Sequence, residues 1–161
     1  MKSNMRIAAA LAVALLISAC AGSSNMVVSP NRTNYKADQV NLVYEGATVG
    51  ADDKGVAELK KHMEEQFFEK GLFQRGSKLT VKYGFMTYDP GSQAARYFLG
   101  ALGGGEAKMV VGAEFFDENG TLVAKIQSEG RLGGGFFGGD SDKAIKKAAE
   151  EVAQFASANF R

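Results

Sequence analysis

From Val40 onward the apolar positions change period several times, and each period names an element. Val40, Leu42 and Tyr44 alternate with Asn41, the two-residue repeat of a short half-buried strand. Val56, Leu59, Met63 and Phe67 then recur every three or four positions, with Lys60, Lys61, Glu64 and Glu65 elsewhere on the circumference. This predicts an amphipathic helix capped by Asp52 or Asp53 and ended by Gly71. Alternation returns from Lys78 to Tyr88, with Leu79, Val81, Tyr83 and Phe85 on one face, and stops at Asp89, Pro90 and Gly91. Met109, Val111, Ala113 and Phe115, then Leu122, Ala124 and Ile126, predict the inward faces of a hairpin. Its turn is Asp117 to Gly120, with Asn119 and Gly120 suited to positive φ. Ile145, Ala148, Ala149, Val152, Phe155 and Ala156 form the stripe of a closing helix capped by Asp140 or Ser141. Lys146 with Glu150, and Lys147 with Glu151, add charge pairs on its solvated face.

The predicted order is βαβββα, and every strand has one apolar and one mostly polar face. Two helices against one face of a four-stranded, largely antiparallel sheet bury all the stripes at once, which predicts a two-layer α+β sandwich. The other sheet face would carry Lys82, Lys108, Glu114, Lys125, Gln127, Glu129 and Arg131, with Val110, Phe116 and Val123 as apolar points. Such a surface is expected to be solvated.

The first forty residues obey a different logic. Lys2 and Arg6 precede an unbroken apolar run from Ile7 to Ile17, and no acidic residue appears there. That is the profile of an export signal. Eleven apolar residues rise about 16 Å as a helix, against a hydrocarbon core of roughly 30 Å, so the run is too short to anchor by spanning. Leu16, Ile17, Ser18, Ala19 and Cys20 resemble the lipobox of bacterial lipoproteins. The resemblance implies a diacylglyceryl group on the Cys20 sulfur, cleavage before Cys20 and acylation of the new amino terminus. Two or three acyl chains, such as palmitate, hold a protein on a bilayer where one does not. Ala21 replaces the Asp that in Gram-negative lipoproteins implies inner-membrane retention, so the outer membrane, on its periplasmic side, is expected. Residues 1–19 are thus read as signal peptide and 20–38 as lipidated cysteine and flexible tether, the alternative being that Met26, Val27 and Val28 begin an edge strand. Residues 39–161 are read as a single domain. A coil of some eighteen residues spans roughly 23 Å.

Composition removes chemistry rather than adding it. Cys20 is the one cysteine, so its lipidation leaves no disulfide, redox pair or thiolate ligand. The formal charge of +1 becomes slightly negative once Lys2 and Arg6 leave, and nothing in it points to nucleic acid. His62, the lone histidine, is expected at the surface of the first helix, off the apolar stripe. With no second His or Cys there is no metal site, and no base is in evidence for a serine triad. No catalytic residue and no cofactor are expected.

Two segments stand out. One runs from Ala94 to Gly105 and includes Arg96, Tyr97, Phe98 and Leu99; the other, Leu132 to Gly139, includes Phe136 and Phe137. Both mix glycine with large apolar side chains, and the hairpin brings both to one end of the sheet. Such segments either cap the core or present a deformable apolar patch to a partner. Gly133, Gly135 and Gly138 satisfy G-x-G-x-x-G, but a dinucleotide site needs that loop inside a parallel βαβ unit, and Asp140 and Asp142 would repel a phosphate. No nucleotide is expected.

The run Tyr88-Asp89-Pro90-Gly91-Ser92-Gln93-Ala94-Ala95-Arg96-Tyr97-Phe98-Leu99-Gly100 resembles the signature of a family of uncharacterised proteobacterial lipoproteins catalogued as a domain of unknown function. The resemblance extends from about Val40 to the carboxyl terminus and implies no activity, ligand or catalytic residue. Pro90 presets the turn, and Arg96 is expected to fix it by pairing with Asp89 or else to meet an acidic group on a partner. The function expected is a non-catalytic protein-interaction module of the cell envelope, membrane-held through lipid on Cys20. The alternative is a carrier or sensor of lipid or another apolar small molecule.

Overall fold

The structure, a computed structural model, describes residues 23–31, 33–46, 49–90, 107–132 and 141–161. The elements are β1 (Ser23–Ser29), β2 (Gln39–Tyr44), α1 (Asp53–Glu64), β3 (Gln74–Arg75), β4 (Leu79–Asp89), β5 (Ala107–Phe116), β6 (Leu122–Leu132) and α2 (Ser141–Phe160). A π-helical segment, Glu65–Glu69, prolongs α1. The architecture is α+β, with both helices packed on the sheet's apolar face.

The sheet corrects the expected four largely antiparallel strands. It has six, in the order β1-β6-β5-β4-β2-β3, and it is mixed, because β2 runs parallel to both β3 and β4. The chain between Tyr44 and Leu79 holds all of α1, long enough for the crossover that parallel neighbours require. β4, β5 and β6 pair antiparallel.

The segment read as a flexible tether is the second correction. Ser23 to Ser29 runs antiparallel along the outer edge of β6, with Ser23 opposite Gly130 and Val27 opposite Ile126. β6 would otherwise show a row of unpaired backbone groups, and a polar sequence can satisfy these as well as an apolar one. The chain between β1 and β2 is also held. The Asn31 side-chain amide donates to the Asn159 carbonyl at 3.1 Å, the Tyr35 hydroxyl to the Lys78 carbonyl at 2.6 Å, and the Ala37 amide to the Phe160 carbonyl at 2.7 Å.

The core lies between sheet and helices. Leu59, Met63 and Phe67 from α1 and its extension meet Val81 and Phe85 of β4, Val111 and Phe115 of β5, Ile126 of β6, and Ile145, Val152 and Phe160 of α2. All are essentially inaccessible. Leu122, expected inward, is 47% exposed. A register shift between Phe115 and Phe116 sets Phe116 opposite Leu122, and Val123 is buried instead. The hairpin turn before it is fastened by the Asp117 carboxylate, which accepts from the Asn119 and Thr121 amides at 2.9 and 2.8 Å. Gly120 takes the positive φ of +80°, whereas Asn119 does not.

On the helix-free face, cross-strand neighbours carry alternating charge. Lys82 pairs with Glu45 and Lys125 with Glu114, each at 2.6 Å, while Lys82 also lies 5.1 Å above the Phe116 ring. These exposed pairs neutralise the surface and contribute little to stability.

Candidate functional site

Strand register brings several chain passages to one end of the sheet. β4 ends at Asp89 opposite Lys108, β5 begins at Ala107 opposite Leu132, and β1 begins at Ser23 opposite Gly130. The segment 91–106 therefore leaves and re-enters here, the segment 133–140 leaves here, and the chain arriving from Cys20 enters here. Cys20, Arg96, Tyr97, Phe98, Leu99, Phe136 and Phe137 themselves lie outside the described residues, as does the expected pairing of Arg96 with Asp89. Their flanks are described, and each flank is fastened.

The flank before 91–106 is held by Tyr88. Its hydroxyl donates to Asp52 Oδ1 at 2.9 Å, and the same oxygen accepts from the Gly55 amide at 2.7 Å, capping α1 as Asp52 was expected to do. The Tyr88 ring occupies the space that a Cβ on Gly55 would take, and it meets Phe85 edge-on at 4.9 Å. The Gly55 amide and then the Tyr88 hydroxyl hold the Asp52 carboxyl below its usual range, while burial and then Asp52 raise the Tyr88 hydroxyl. Asp38 is lowered likewise by Lys78, and Glu65 by His62. A carboxyl that is more acidic folded than unfolded stabilises the fold above its ordinary value, and that contribution is lost as pH falls through the folded one. The thermal midpoint should therefore drop once pH passes below the ordinary values of 3.8 and 4.5. An Asp52→Asn variant, measured across the same pH series, should show a shallower acid limb; an unchanged limb would count against the cap.

The flank after 133–140 is held by His62, which corrects the expectation of a surface histidine. Its residue is only 3% exposed. Ring Nδ1 lies 3.0 Å from Glu65 Oε2, and Nε2 lies 2.6 Å from Asp142 Oδ1 in the first turn of α2. The histidine thus ties α1 to the start of α2. Both ring nitrogens are engaged by carboxylates, so neither is free to serve a nucleophile. The pattern did contain a clue: Leu59, His62, Met63, Gln66 and Phe67 are all buried, and their spacing of three and one is that of a wide helical stripe. Replacing His62 with Ala should lower stability by about 2 kcal/mol, because charged hydrogen-bond partners lose their contact. Urea unfolding measures this, and a change under about 0.5 kcal/mol would contradict the tie.

A second buried polar contact joins sheet to helix, with the Ser128 hydroxyl donating to Glu151 Oε2 at 2.9 Å. Both residues are buried where α2 packs on β6. β6 is antiparallel to both its neighbours, β1 and β5, so the glycine-rich loop after it does not join two strands of a parallel βαβ unit. Among the described residues no cluster of three or more His, Cys, Asp or Glu is arranged to hold a metal ion. Among the same residues, no helix is long and apolar enough to cross a membrane.

Solved structures share this fold at low identity. A variant of PelC from Paraburkholderia phytofirmans, solved as a dodecamer, is 16% identical over 87% of this chain and 99% of its own, with a TM-score of 0.57. A Xanthomonas campestris protein of the DUF330 family is 12% identical over 82% of this chain and 91% of its own, with a TM-score of 0.54. At such identity the likeness is one of fold. No curated protein matches the chain. The model of one sequence family matches residues 47–134, from the approach to α1 through the first glycine-rich segment and into the second, stopping short of the closing helix. The chain belongs to that family, DUF4410, a domain of unknown function.

Proposed function

We propose that the protein is a lipoprotein of the Gram-negative envelope, anchored by acyl chains on Cys20 to the periplasmic side of the outer membrane, and that it works without catalysis by binding another envelope protein. The observation that carries the reading is the convergence at one end of the sheet: two segments rich in glycine and aromatic residues leave it side by side, each from a fastened flank. Fastened flanks fix where the two segments emerge, and the aromatic side chains in their sequence supply the apolar chemistry of recognition. The engagement of both nitrogens of the sole histidine supports a non-catalytic role.

The carrier reading needs an internal space. Phe67, Phe85, Phe115 and Phe160 fill the layer between sheet and helices, and a groove on the helix-free face, about 280 Å³, is open and flanked by the paired charges of Lys82 and Lys125. Among the described residues the sandwich interior is thus filled by protein, and a carrier would have to use the space beneath the two glycine-rich segments.

The test is photocrosslinking in cells from Phe98 and Phe136, with Asn119 in the opposite turn as the control position. A discrete protein adduct at the first two, lost when Phe136 and Phe137 are replaced by Ser in a domain that still folds, supports the reading. Adducts to lipid alone would favour the carrier, and no adduct at either position would remove the interaction role. Light scattering on the same protein determines whether the adduct is a second copy of this chain, an arrangement to which the PelC dodecamer gives point.

A further inference from the structure

We infer that His62 works as a charge switch inside the fold: its doubly protonated ring ties α1 to the first turn of α2, and the tie is lost when the ring gives up its second proton as pH rises. The inference concerns the fold and holds whatever the domain binds.

The first support is a count of donors. Nδ1 lies 3.0 Å from Glu65 Oε2 and Nε2 lies 2.6 Å from Asp142 Oδ1, the distances of charge-assisted hydrogen bonds. An ionised carboxylate only accepts, and a neutral imidazole has one N–H and one lone pair. Either neutral tautomer therefore turns a lone pair on one of the two carboxylates. Only the imidazolium, with a proton on each nitrogen, donates to both. Both carboxylates are placed to stay ionised. The hydrogen bond from His62 holds the Glu65 carboxyl below its usual range, and Asp142 stands in the first turn of α2, where the helix dipole favours negative charge.

The second support is burial. A histidine at the surface exchanges a carboxylate for water at little cost, but the His62 side chain is only 4% exposed. A hydrogen bond lost here is not replaced, and the loss is that of a buried bond to a charged group.

The charges about the ring come from both helices. On α1 and its extension, Glu65 also pairs with Lys61 at 3.7 Å, and Glu58, one turn before His62, pairs with Lys54 at 3.6 Å. On α2, Asp142 meets the ring and Lys146 acts on Glu65, while Asp140 lies outside the described residues. Of these residue types only histidine ordinarily changes charge between about pH 5 and 8. Folded, the ring keeps a proton that the unfolded chain sheds in that range, so unfolding releases a proton and stability falls as pH rises. The sign is opposite to that of Asp38, Asp52 and Glu65, whose contributions are lost as pH falls. Because Asp142 begins α2 directly after residues 133–140, the switch acts at one flank of the second glycine-rich segment.

His62 is the lone histidine, so nitrogen-15 histidine labelling of the full-length protein, purified in detergent without a histidine tag, gives one pair of ring signals. At about pH 7.5, where an unperturbed histidine is mostly neutral, both nitrogens should carry protons. Urea unfolding between about pH 5 and 8 should show the wild-type folding constant falling roughly tenfold more than that of His62→Gln, whose side chain does not titrate. Should that variant fail to fold, Asp142→Asn takes its place: its amide accepts from a charged ring and donates to a neutral one, so its curve should be flatter than wild type. A ring with a single protonated nitrogen at about pH 7.5, or a wild-type curve parallel to the variant's, would overturn the inference.

Discussion

Gly130→Ala should cost about 3 kcal/mol of stability or more, and it should do so by lifting one end of a helix off the sheet. Gly130 sits on β6 facing α2, and a Cβ built there would fall on the Ala144 carbonyl oxygen, with the Ala144 carbonyl carbon next. The obstacle is helix backbone and not the mobile end of a side chain, so relief requires the first turn of α2 to move. That turn also carries Asp142, whose contact with His62 would stretch as Ala144 is displaced. One methyl group is therefore expected to weaken packing and polar tie together, more than an ordinary added methylene does. Gly50, around which a Cβ meets nothing, provides the matched control. Urea unfolding should show Gly50→Ala near wild type and Gly130→Ala with a much lower midpoint. A Gly130→Ala stability within about 0.5 kcal/mol of wild type would mean that α2 does not seat on β6 as described.

Phe115→Ala is the second large effect, expected at about 3 to 5 kcal/mol. Phe115 is wholly buried, and its ring centre lies 5.3 Å from those of both Phe155 and Phe160 in the last turns of α2. The alanine would leave a cavity that β5 and α2 cannot close without bending. The same substitution removes the wedge that holds Phe160, whose carbonyl accepts the Ala37 amide, so the entry to β2 should loosen as well. Phe115→Leu keeps most of the volume and should lose less than half as much. Equal losses for the two variants would show that ring geometry, and not volume, decides the site.

The elements most legible in the sequence are those whose apolar period is clean. α2 and strands β4 and β5 are set by repeats of three to four or of two, and the inward residues Val81, Phe85, Val111 and Phe115 are buried as their alternation predicts. β1 was only half legible: Met26, Val27 and Val28 offered an edge strand as the alternative to a tether, but Ser23 to Ser29 does not alternate, and what specifies the strand is the vacant edge of β6, a tertiary feature. The parallel pairing of β2 with β4 was equally hidden, since an alternating strand looks the same in either direction. Leu122 failed for a smaller reason, a one-residue shift that exchanges the faces of Leu122 and Val123. His62 could have been recognised. It lies three positions after Leu59, but its polarity outweighed its place, and its partner Asp142 is eighty residues distant. Of the candidate site, the sequence displayed the glycine and aromatic composition and, through the hairpin, their common end. It did not display that β1 begins at that same end.

Cys20 is the hinge of the proposed function, because the proposed anchor and its membrane both depend on it. The direct measurement is the intact mass of the full-length gene product extracted with detergent from the membranes of a Gram-negative host. The predicted result is a chain beginning at Cys20, without residues 1–19, carrying a diacylglyceryl group and an amide-linked acyl chain, and a Cys20→Ala form that takes up no labelled palmitate. A mature chain that begins at another residue, or that carries no acyl mass, would contradict it.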